Sequence, residues 1–275
     1  MIEIGKRSHL IVLRTVDFGV YLDGENLGDI LLPARYIAEP LRAGDAVDVF
    51  IYNDSEDRLI ATTEHPYAEV NTVAFLEVAA SNRYGTFLDW GLPKDLLVPF
   101  REQYVKMREG VSYPVFVYLD HNTRRIVASS KIEHFLNNRP PEYNHGDKVD
   151  ILIYKETEIG YKAVIDNLFT GMLYKNEVFT PLRIGSRAEA YIKLVRPDGK
   201  IDLTLGASAA ERTDDLAQRI LDVLKKRRHL PLSDRSSPAE IADAFACSKK
   251  DFKRAIGNLY RRRLININPD SIELV

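Results

Sequence analysis

Shifted against itself by 66 residues, the sequence lays Phe18-Gly19-Val20-Tyr21-Leu22-Asp23 on Tyr84-Gly85-Thr86-Phe87-Leu88-Asp89 without a gap. Asp29-Ile30-Leu31-Leu32-Pro33-Ala34-Arg35 then falls on Asp95-Leu96-Leu97-Val98-Pro99-Phe100-Arg101, and Val49-Phe50-Ile51-Tyr52 on Val115-Phe116-Val117-Tyr118. Between residues 18 and 60, 13 positions are identical, where unrelated sequence would give roughly two or three. A further shift of 75 finds a fainter third copy: Gly160, Gly185, the alternation Ala188-Ala190-Ile192, and Ile201-Asp202-Leu203-Thr204 opposite Ile126-Val127-Ala128-Ser129. A chain that repeats in this way folds as an array of like units.

Each unit is built of short strands. Val, Ile, Phe and Tyr are expected to alternate with polar residues in Val47-Asp48-Val49-Phe50-Ile51-Tyr52, and Ala43-Gly44-Asp45, Asn53-Asp54-Ser55 and Pro197-Asp198-Gly199 read as turns between such strands. About five strands fit in roughly 65 residues, and small closed barrels suit them because closure leaves no sheet edge unpaired.

After about residue 212 the period changes. Leu216, Ile220, Leu221 and Leu224 predict a helix ending near Lys225-Lys226-Arg227-Arg228. Ser237-Pro238-Ala239-Glu240 is a capping box with proline at the first helical position, and Ser248-Lys249-Lys250-Asp251 opens another helix with Phe252, Ile256, Leu259 and Tyr260 on one face. Ile265–Asn268 and Ile272–Val275, joined at Pro269-Asp270, predict a two-stranded wing. The expected fold is mainly β with an α+β C-terminal domain. Its predicted parts are barrels over 1–65, 66–140 and 141–211 and a winged helix-turn-helix over 212–275.

Charge separates these parts. Residues 212–275 hold 14 Lys and Arg against 9 Asp and Glu; residues 1–65 hold 6 against 12, residues 66–140 hold 9 against 8, and residues 141–211 hold 9 against 11. A polyphosphate would be repelled most by the first unit and least by the second. Cys247 is the sole cysteine, which fits a reducing compartment and offers neither a disulfide nor a thiolate metal site. With no apolar leader or span, the expected location is the cytoplasm and no membrane is engaged. The six histidines are scattered, no phosphate-binding glycine loop is present, and Asp54-Ser55-Glu56-Asp57 reads as a solvated turn. No enzyme activity, metal or cofactor is expected.

The order of features in each copy (aromatic-Gly-x-aromatic, an apolar strand, Gly-Asp before a β-run, a strand ending in small polar residues) resembles the S1 fold, a five-stranded OB-type barrel of RNA-binding proteins. Pro231–Pro238, Ser248–Tyr260 and Gly171–Glu177 are similar to segments of the bacterial conserved virulence factor B family. That resemblance covers nearly the whole chain. It implies three S1-like domains, a C-terminal winged helix, and RNA binding that influences gene expression.

In S1 domains the aromatics of the glycine-containing strand receive stacked bases. The resemblance carries this role to Phe18 and Tyr21, to Tyr84 and Phe87, and to Tyr161. Residues three apart on a regular strand face opposite ways, so shared exposure calls for a kink, expected as bulges at Gly19 and Gly85. Where S1 domains place a histidine on the next strand, Leu32 and Val98 are expected here, and Tyr174 in the third copy. Arg83, Arg101, Arg124, Arg125 and Lys131 surround the second copy's aromatics in sequence and make it the preferred binder. Lys193, Arg196 and Lys200 straddle the third copy's hairpin. In the winged helix, Lys249, Lys250, Lys253 and Arg254 open the third helix, and Arg261, Arg262 and Arg263 close it. The expected partner is single-stranded or unpaired RNA. The alternatives are a DNA-binding regulator acting through the winged helix and a protein-interaction scaffold suggested by the acidic first copy.

Overall fold

The computed structural model describes residues 1–178, 182–206 and 209–275; of residues 209–212 the backbone alone is described. Two compact units divide the chain, Met1–Leu136 and Asn137–Val275. The first holds two closed barrels. Strands β1 (Arg7–Val16), β2 (Gly19–Asp23), β3 (Asp29–Pro33), β4 (Ala46–Asn53) and β5 (Leu59–Thr62) close in the order β1-β2-β3-β5-β4. Strands β6 (Thr72–Asn82), β7 (Gly85–Leu88), β8 (Leu96–Pro99), β9 (Ser112–Leu119) and β10 (Ile126–Ser129) repeat that order.

The second unit begins with β11 (Lys148–Glu156), β12 (Gly160–Ile165), β13 (Phe169–Tyr174), β14 (Arg187–Val195) and β15 (Ile201–Thr204), a third barrel of the same topology. Helices α1 (Ala209–Arg227), α2 (Pro238–Phe245) and α3 (Lys249–Arg261) follow. The change of period near residue 212 thus lies inside α1. Strands β16 (His229–Leu230), β17 (Ile265–Ile267) and β18 (Ile272–Leu274) form one sheet, so the expected two-stranded wing carries a third strand on β18. The α2 capping box forms in full, with Ser237 Oγ accepting from Glu240 N at 3.2 Å and Glu240 Oε2 accepting from Ser237 N at 2.7 Å.

The repeated glycines are required by close backbone approach. A Cβ on Gly19 would lie 2.2 Å from the Leu32 carbonyl oxygen, on Gly85 2.4 Å from that of Val98, and on Gly160 2.1 Å from that of Leu173. These glycines are not the bulges. The register breaks lie in the preceding strands, between Val12 and Arg14 in β1, Val78 and Ala80 in β6, and Ile153 and Lys155 in β11.

In β4 the unbroken apolar run reflects two covered faces. Val49 and Ile51 point into the first barrel's own core. Phe50 and Tyr52 point outward into a core shared with the second barrel, where Trp90 meets them edge-on with ring centroids 5.8 and 6.4 Å away. The second barrel's matching pair, Phe116 and Tyr118, is covered by Phe135, each at 4.7 Å. Trp90 Nε1 donates to Lys94 O at 2.7 Å, which satisfies the one polar atom this burial would orphan.

Candidate nucleic-acid interface

Strand pairing decides which side chains share an end of the second barrel. Gly85 faces Pro99 across β7 and β8, so Tyr84 and Phe100 flank that pair. Strand β10 runs parallel to β8, which brings Lys131, just past β10, to the same end as Arg101, just past β8. Tyr84 is 61% exposed and Phe87 half-buried. Arg83 places its guanidinium carbon 4.8 Å from the Tyr84 ring centroid and donates to the hydroxyl at 2.7 Å. Lys131 Nζ donates to the Arg101 carbonyl at 2.5 Å, and Arg101 Nε lies 3.7 Å from Glu102.

Arg124 and Arg125 precede β10 and therefore lie at the opposite end from Tyr84. Their expected place around the aromatics is corrected by the strand order. Arg125 forms an ion pair with Asp57 of the first barrel, and Lys94 reaches the same carboxylate at 3.2 Å. Desolvation pushes the Asp57 carboxyl up, and the hydrogen bonds from Lys94 and Arg125 outweigh it, so it titrates below the usual aspartate range.

The first barrel keeps the rings but exchanges one cation beside them for an acid. Phe18 is exposed and meets Tyr21 edge-on at 6.4 Å, with Arg14 stacked 4.2 Å over Tyr21. At the register position of Arg83 it carries Asp17.

In the third barrel Gly160 pairs with Tyr174 as Gly19 pairs with Pro33 and Gly85 with Pro99. Tyr174 therefore matches Pro33 and Pro99, and the expected equivalence to Leu32 and Val98, both fully buried, is corrected. By the same register Tyr161 matches Val20 and Thr86. It packs against the barrel core instead of standing beside Tyr21 and Phe87, whose position is taken by Lys162. Arg196 is engaged by the buried Asp202, at 2.9 Å to Oδ1 and 3.1 Å to Oδ2, and it donates to the Tyr174 hydroxyl. Lys193 pairs with Glu177, and Lys200 with Asp198 at 2.9 Å. The expected hairpin cations are thus each matched to a carboxylate.

Helix α3 buries Phe252, Ala255, Ile256 and Leu259 and exposes Lys250, Lys253, Arg254 and Arg261. Spacings of three and four place these four cations on one stripe, with Gly257 among them. Nothing lies within 4 Å of where a Gly257 Cβ would be. Lys249 is half-buried and turns back to donate to Arg235 O at 3.3 Å; Lys253 lies 3.9 Å from Asp234. Arg262 caps the helix and Arg263, with φ of 59°, begins the turn toward β17. Cys247 is buried, and burial and then Asp251 push its thiol up to about 11, so it holds no thiolate near neutral pH.

Residues 4–64 match the S1 domain family, and residues 218–274 match the CvfB-like winged helix domain. Conserved virulence factor B of Staphylococcus aureus (strain USA300) is 28% identical over 245 residues, covering 86% of this chain and 81% of that protein. The chain is a relative of conserved virulence factor B. The same protein from strain NCTC 8325 / PS 47 matches equally, at 28% over 245 residues with the same coverage of 86% and 81%. A solved multidomain protein with nucleic acid binding domains from Streptococcus pneumoniae TIGR4 aligns over 99% of this chain and 98% of its own, at 22% identity and a TM-score of 0.42. The two families that this relative of conserved virulence factor B matches, S1 and winged helix, are nucleic-acid-binding domains.

Proposed function

We propose that the chain binds unpaired RNA, in the cytoplasm and without catalysis, and thereby regulates gene expression. The observation that carries this reading is the pairing of the exposed Tyr84 ring with the Arg83 guanidinium. Stacking of a base on such a ring contributes about 1–3 kcal/mol, and an adjacent cation attracts the phosphate that follows. Arg101 and Lys131 at the same end extend that attraction. Tyr21 and Phe18 are the matching rings of the first barrel, where Asp17 opposes a phosphate.

Tyr84→Ala with Phe87→Ala is expected to weaken binding of a single-stranded oligoribonucleotide at least about tenfold while the fold persists. Affinity unchanged in the double variant would remove this site. A second reading, duplex DNA recognition, is favoured by the single basic stripe of α3. Competition between duplex DNA and single-stranded RNA at fixed salt separates the two, and preference for the duplex supports the second.

A further inference from the structure

On the turn after β8, Phe100 and Tyr104 are 52% and 65% exposed. Two large rings exposed together on one short turn make an apolar surface of the kind that marks a binding site. In the first barrel the same turn carries Ala34 and Ala38 at these positions. The rings are therefore a feature of the second copy and not of the shared scaffold.

The turn that bears them is held from both sides. Gln103 Nε2 donates to Thr86 Oγ1 of β7 at 2.9 Å and to the Val98 carbonyl at 3.2 Å. The Tyr104 amide donates to Ser130 Oγ at 2.6 Å, and the Ser130 amide to Glu102 O at 3.0 Å. These bonds tie the turn to β7 and to the segment after β10, so the backbone that carries the rings is positioned before any ligand arrives. Phe100 follows Pro99, the partner of Gly85, and so neighbours Tyr84 across the strand pair. Arg83, Arg101 and Lys131 lie at the same end of the barrel, and Glu102 is the acid of this turn.

We infer that Phe100 and Tyr104 extend the surface of Tyr84 and Phe87 into a run of ring faces that takes several consecutive unpaired nucleotides, with Arg83, Arg101 and Lys131 along the phosphates. This rests on the proposed RNA binding at Tyr84 and adds its length and course: the strand passes from β7 onto the turn after β8. Rings on a backbone held in advance lose less freedom on binding than rings on a loose loop, and stacking tolerates any base.

The test uses the full chain and fluorescein-labelled oligouridylates of two to ten nucleotides, read by anisotropy. Wild-type affinity is expected to keep rising with length beyond two nucleotides. Phe100→Leu with Tyr104→Leu keeps apolar bulk without a ring face; it is expected to lose at least about tenfold on the longer oligomers and to level off at a shorter length. Phe100→Tyr with Tyr104→Phe is expected to restore both. Wild-type affinity and length dependence in the leucine variant, while Tyr84→Ala weakens binding, would overturn this inference and leave the Tyr84 site standing. Unchanged binding in the leucine and Tyr84 variants alike would remove both.

Discussion

Trp90 packs edge-on against Phe50 with ring centroids 5.8 Å apart and planes at 80°, and this contact joins the cores of two barrels that the sequence presents as separate copies. Trp90→Ala would open a void lined by Phe50 and Tyr52. It is expected to cost about 3–5 kcal/mol. Because the core is shared, both barrels should lose stability together. Urea unfolding followed by circular dichroism would show one shifted transition for residues 1–136, and loss confined to the second barrel would contradict the shared core.

Asp57 makes that junction sensitive to acid. Its carboxyl lies below 3.8 when folded, through Lys94 and Arg125 against the opposing effect of desolvation. A depressed acid contributes stability above its unfolded value, and that contribution is lost as pH falls through the folded value. The affected window is therefore below pH 3.8. Trp90 is the chain's one tryptophan, so its fluorescence reports this region directly. Asp57→Asn is expected to be less stable than wild type at neutral pH, with the gap closing as pH falls below 3.8; a gap constant across that range would remove Asp57 as the cause.

Arg83 and Arg196 are expected to respond in opposite ways. Arg83→Ala should lower RNA affinity and flatten its salt dependence by about 0.7 in the logarithmic slope, the value for one phosphate contact on a single strand. Arg196→Ala should leave that slope unchanged and lower the stability of the third barrel by about 1–3 kcal/mol, since the buried Asp202 then lacks its guanidinium partner. Salt titration and thermal unfolding of the two variants distinguish these roles, and a flattened slope for Arg196→Ala would show that its ion pair opens to phosphate.

Three five-stranded barrels and a winged helix were legible because glycines and turn residues recur at fixed offsets and because helix caps announce themselves locally. What covers a strand's second face is not written nearby. Val49-Phe50-Ile51-Tyr52 reads as part of an alternating strand, but Trp90, which covers its outer face, comes 40 residues after Phe50. Arg125 reads as a cation for the aromatics because it is near them in sequence, while its partner Asp57 is 68 residues away. The S1 resemblance points to Tyr161, and only the pairing of Gly160 with Tyr174 reveals which side of β12 it takes. Strand β16, of two residues, is too short to show any alternation. Phe100 and Tyr104 could have been found by asking where the second copy has rings and the first has alanines.

The outward aromatic pair on β4 has a consequence for any dissection of the molecule. Cutting the second barrel free of the first would put Trp90 into solvent, and the first barrel alone would expose Phe50 and Tyr52. Residues 1–136, the compact unit that holds both barrels, keep these three rings dry together, so the acidic copy persists as a foundation for its neighbour whatever it does or does not bind.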